Sequence, residues 1–125
     1  MIIKKLVVGS MFSMLLASEM ATADWGDVYY CQMTNFISIT LEGKQTNYIL
    51  EKFQFKLDQT KKAMVFGSTG YFQDQVYELG DNWPSLEKWY ANNTYSNTYF
   101  DDGKLLYTYN GASGALAASA DCDKF

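Results

Sequence analysis

Histidine and arginine do not occur in this 125-residue chain, proline occurs once and cysteine twice. Without histidine there is no Ser-His-Asp or Cys-His arrangement, no imidazole base and no histidine metal ligand, which removes a large share of hydrolases. Without arginine, and with lysines scattered against a larger number of acids, the chain lacks the basic stripe that grips nucleic acid through its phosphates. Nucleic acid is therefore not an expected partner. Cys31 and Cys122 are not in a Cys-x-x-Cys pair and have no basic neighbour to lower a thiol pKa, so a redox or metal role is disfavoured. No cofactor is implied.

Aromatic residues are abundant, at 17% of the chain, which suits packed sheets and excludes a disordered polymer. The clearest local signal is Tyr95 to Tyr109. Asp102-Gly103 is the dipeptide favoured by a two-residue type I′ turn, whose central residues both need positive φ, and it separates two runs rich in β-formers. This predicts a β-hairpin.

Residues 1–23 have the three parts of a secretory signal peptide: the basic opening with Lys4 and Lys5, the apolar run Leu6 to Ala17, and the small-x-small site Ala21-Thr22-Ala23. The run is short of the roughly 20 apolar residues of a membrane span. The nearest cysteine, Cys31, follows Tyr29-Tyr30 and not the small residues of a lipoprotein site. Export to the periplasm or cell exterior is expected, with cleavage before Asp24 and no membrane attachment afterwards. Residues 24–125 are then one mildly acidic β domain, too short for two cores. In such a protein the two cysteines are expected to form a disulfide closing a loop across nearly the whole domain.

Strand-like alternation recurs along the domain. Val28 to Leu41 places Tyr29, Cys31, Met33, Asn35, Ile37, Ile39 and Leu41 on one face, with Phe36 out of pattern. Glu42-Gly43-Lys44 turns the chain into Tyr48 to Leu57, with Ile49, Phe53, Phe55 and Leu57 on one side. Asp58 to Lys61 predicts a turn into Lys62 to Phe66. Gly67 to Gly70 is a loop without the lysine of a phosphate loop, and Tyr71 to Leu79 reads as a weaker strand. Gly80 to Ser85, with Trp83 and the only proline, Pro84, is the most irregular stretch. Leu86 to Ala91 is read as a strand in preference to a short helix capped by Ser85. In the last segment Leu116, Ala118, Ala120 and Cys122 share a face. Cysteines facing inward on the first and last strands predict a sheet that curls until its ends meet. The expected fold is all-β, a small antiparallel meander of seven or eight strands forming a barrel or barrel-like sandwich.

Chemistry is sparse. Asp101-Asp102 and Asp121-x-Asp123 are paired acids that a turn and strand ends explain, and no catalytic or metal site is assigned. Asn92-Asn93-Thr94 fits the glycosylation pattern. Counting back by twos from Phe125 meets Asp123 and Asp121, against the apolar lipid face of an outer-membrane barrel. The aromatics exceed what one sheet face must bury, and tyrosine and tryptophan suit binding surfaces. The candidate ligand-binding residues are Trp83, Trp89, Tyr90, Tyr99 and Tyr107. Two functions are expected to compete: a non-catalytic binding module for a small apolar or aromatic ligand, or a protein-interaction or structural envelope component, for example an inhibitor, acting through an aromatic loop. Bulky inward residues favour the second, and the small Ala118 and Ala120 favour space for the first.

Overall fold

The computed structural model describes residues 23–80 and 87–125, and among them every regular element is a strand. In chain order these are β1 (Val28–Thr40), β2 (Gln45–Asn47), β3 (Lys52–Asp58), β4 (Ala63–Phe66), β5 (Val76–Leu79), β6 (Lys88–Asn92), β7 (Ser96–Asp101), β8 (Lys104–Gly111) and β9 (Gly114–Lys124). From β3 onward each strand pairs antiparallel with the next, β3 also pairs with β1, and β9 returns to pair with β1 along its full length. Eight strands thus close a meander barrel, which removes the open edges that a flat sheet would expose. The short β2 is an extra strand on the far half of β1, opposite Ile37–Ile39.

The turns follow from the residues. Asp102 and Gly103 both have positive φ (49° and 84°), as a type I′ hairpin requires, and join β7 to β8 with Asp101 opposite Lys104. Gly114 opens β9 where the β1 backbone passes so close that a Cβ would lie 2.3 Å from the Ile39 carbonyl oxygen, so only glycine fits. Closure is pinned by the disulfide between Cys31 and Cys122, which face each other directly across the β1–β9 seam with Cα atoms 4.0 Å apart.

Three strand readings need correction. The inward parity of β1 holds through Met33, but the register to β9 slips at Thr34. This bulge exchanges the faces, so Phe36 is buried, Asn35 is exposed, and Ile39 and Leu41 point to solvent. The predicted Tyr48–Leu57 strand is interrupted, because residues 48–51 leave the sheet between β2 and β3 and Ile49 is 86% exposed. Of Tyr71 to Leu79 only Val76–Leu79 pairs, and residues 71–74 form a turn with Asp74 at positive φ. The strand predicted from Leu86 is observed as β6. Residues 1–22 and 81–86, covering nearly all of the expected signal peptide and the Trp83-Pro84 loop, lie outside the described residues. Ala23 is fully buried, so cleavage before Asp24 would take one methyl from the core.

Rings pack the interior from end to end. At the base, where β1 begins and β9 ends, Trp89 stacks on Phe100 (4.3 Å, 11°) and Tyr29 on Phe55 (5.0 Å, 15°). Above them Phe53, Phe66, Phe72, Tyr77 and Tyr107 form a continuous cluster joined to the base through Phe55 and Phe66 (5.5 Å). Each fully buried ring contributes about 1.5–3 kcal/mol by removal from water. Ala118 and Ala120 face large residues across the ladder. Their strand partners are Tyr107 and Phe36 for the first, Leu105 and Met33 for the second, small residues set among large ones.

Candidate functional site

The end of the barrel opposite the base is built from the loops after β1, β4, β6 and β8, and here the rings change character. The β4–β5 loop folds inward, with Phe72 buried in the core and Tyr71 packed on its rim. Tyr71 is held at three points: its N–H donates to Glu51 Oε1 (2.8 Å), its carbonyl accepts from Gln75 Nε2 (3.3 Å), and its hydroxyl shares a hydrogen bond with that of Tyr107 (3.1 Å). The Tyr107 hydroxyl also lies 3.4 Å from Ser96 Oγ, and Tyr77 donates to Gln75 Oε1. Phe72 anchors the loop, so Tyr71 stands as a fixed wall.

Two clefts meet at that wall. One, of about 550 Å³, is lined by Phe36, Tyr48, Ile49, Glu51, Tyr71 and Leu116. Phe36 reaches it because of the Thr34 bulge, and contacts Tyr48 (5.0 Å, 49°) and Tyr71 (5.1 Å, 67°). The Tyr48 hydroxyl is tied to Ser38 Oγ (2.9 Å) and its N–H to the Phe36 carbonyl (2.8 Å). The other cleft, of about 330 Å³, is lined by Tyr71, Tyr95, Tyr107 and Tyr109 with Asn93 and Ser96, and is richer in hydroxyl and amide groups. Asn93 is itself structural: its side-chain oxygen accepts from the N–H groups of Tyr95 and Ser96 (3.2 and 3.0 Å) and shapes the β6–β7 turn.

Burial raises the ionisation of Tyr71 and Tyr77 well above the usual tyrosine value, and the neighbouring Tyr107 adds to it. At neutral pH these hydroxyls are uncharged donors and acceptors. The end is a preformed concave surface able to hold an apolar body against rings and orient polar groups by hydroxyls.

The four candidate residues that the structure describes do not come together. Trp89 is fully buried at the base, with Nε1 donating to Met64 Sδ (3.2 Å), and serves the core. Tyr107 is buried beneath the rim and reaches it with its hydroxyl. Tyr90 (58% exposed) and Tyr99 pair at 4.6 Å on the outer face, away from both clefts. Trp83 lies outside the described residues. Phe36, Tyr48, Ile49 and Glu51 were not legible as site residues because the bulge and the chain's departure at 48–51 decide where they point, and neither leaves a pattern in the sequence.

No family model, curated protein or solved structure matches the chain. Among the described residues no helix is long and apolar enough to cross a membrane, a statement that does not concern strands.

Proposed function

We propose that this is an exported, non-catalytic binding module that takes a small ligand with an apolar or aromatic body at the tyrosine-lined end of a filled barrel. One observation carries the reading: two clefts share Tyr71, whose N–H, C=O and O–H are all fixed by other residues. Pre-fixed rings lose little conformational entropy on binding, which distinguishes a site from surface aromatics that happen to be exposed. Packed rings in the interior direct the ligand to this end and not to the lumen. Export is supported by the amino-terminal pattern together with the Cys31–Cys122 bridge, a bond that oxidising compartments favour. Lys52, Lys56 and Asp121 on the outer face support a barrel in water, not in lipid.

The test is a native mass spectrum of the exported protein purified without detergent. Extra mass on the monomer that disappears in Tyr48→Ala supports the reading. Extra mass retained in that variant would place the ligand elsewhere.

A second reading has its own observation. Tyr90, Tyr99 and Leu106 are register partners on β6, β7 and β8 and form an outward apolar row, with Tyr90 and Leu106 about half exposed. Such a row suits contact with another protein, as an inhibitor or envelope component would make. A bare dimer in the same spectrum, dissociated by Tyr90→Ser with Leu106→Ser, would favour it.

A further inference from the structure

The larger cleft contains one feature that an apolar ligand does not explain. Glu51 stands in a wall otherwise made by Phe36, Asn47, Tyr48, Ile49, Tyr71 and Leu116, and none of the described residues lining the cleft is a lysine. One carboxylate oxygen accepts the Tyr71 N–H, which fixes the group without neutralising it, and it makes no ion pair among the described residues. Two of the rings beside it, Tyr48 and Tyr71, both pack against Phe36, with centroids 5.0 and 5.1 Å away. Aromatic faces attract a positive charge through their quadrupole, and a nearby carboxylate adds to that attraction as water is displaced. The chain as a whole is acidic, with a formal charge of −4, which favours approach of cations.

We propose that the cleft of Phe36, Tyr48, Glu51 and Tyr71 is a site for a small organic ammonium ion bearing an apolar substituent, its charge held between the rings and the Glu51 carboxylate. Ile49 and Leu116 take the apolar substituent. The proposal rests on this end being the binding end and adds the sign of the ligand's charge.

Three soluble probes of one shape separate the two statements: protonated 2-phenylethylamine, neutral 2-phenylethanol and anionic 3-phenylpropanoate. Each is titrated into the full disulfide-bonded protein while backbone amide shifts are followed. The expected result is movement of the Tyr48, Tyr71 and Leu116 amides by the amine with about tenfold tighter affinity than the alcohol, and none by the carboxylate. Glu51→Gln keeps the acceptor for the Tyr71 N–H and removes the charge, so it should bring amine and alcohol within about threefold of each other. Equal affinity for amine and alcohol at these amides in the unaltered protein would overturn the cation site and leave the binding end standing. An amine preference that survives Glu51→Gln would overturn the role of the carboxylate. Failure of all three probes to move any amide at this end would overturn both statements.

Discussion

The two ends of the barrel are made from the same residue types and do opposite things. At the base, the rings of Trp89 and Phe100 and of Tyr29 and Phe55 stack in pairs, and their polar atoms are turned onto partners within the core. Trp89 Nε1 donates to Met64 Sδ and the Tyr29 hydroxyl to Glu87 Oε2 (2.7 Å), while Lys124 ties Glu87 (3.4 Å) to Asp27 (3.5 Å). At the other end the rings are tilted or edge-on, their hydroxyls bond to one another, and clefts remain between loops. Aromatic content alone therefore does not mark a site. Where the polar atoms of the rings find partners, and whether clefts remain beside them, separates core from surface, since edge-on pairs such as Phe55 and Trp89 (80°) also fill the base.

Breaking the base should cost stability. Replacing Cys31 and Cys122 by alanine frees a loop with a sequence separation of 91, and loop-closure entropy puts the loss at about 4–5 kcal/mol, read from urea midpoints. Trp89→Ala empties the stack on Phe100 and should cost about 3–5 kcal/mol by the same measurement. Glu87→Ala leaves the buried Tyr29 hydroxyl and Lys124 without this partner. About 1–3 kcal/mol is expected, the midpoint in urea again being the readout. At the tyrosine-lined end the same kind of change should be mild. Tyr71→Phe deletes one hydrogen bond of a rim residue, for about 0.5–1.5 kcal/mol, and should leave the thermal midpoint within roughly 10 °C.

Alkaline pH sharpens the contrast. Burial raises Tyr29 far above its ordinary value, with Glu87 adding to it, and burial likewise raises Tyr71 and Tyr77. A folded-state value above the unfolded one near 10 means that stability is fully present below pH 10 and is lost as pH rises beyond it. Thermal midpoints should be insensitive to these three groups at neutral pH and fall above pH 10. Tyrosinate absorbance should show Tyr29, Tyr71 and Tyr77 ionising above the usual tyrosine range.

Much of this was legible in the sequence. The all-β class, the Asp102-Gly103 hairpin, the inward cysteines and the closure of first strand on last follow from period-two alternation and turn chemistry, both local signals. The site was not legible. Trp89 and Tyr90 are adjacent and equally aromatic, yet one is in the core and the other outside, because alternation gives opposite faces without saying which is inward. A one-residue bulge at Thr34 puts Phe36 into the cleft wall, and it depends on β9, far away in the chain. Tyr71 lies in a segment whose mixed faces resemble a weak strand, and its place is set by Glu51 and Tyr107 through tertiary hydrogen bonds.

The division of labour between the ends is tested most directly by titrating 2-phenylethylamine into two variants that are each still folded, Phe100→Leu at the base and Tyr48→Ala at the cleft. The account expects Phe100→Leu to keep the affinity of the unaltered protein while losing stability, and Tyr48→Ala to keep its stability within about 1 kcal/mol while losing most of its affinity. Affinity retained in Tyr48→Ala and lost in Phe100→Leu would contradict it.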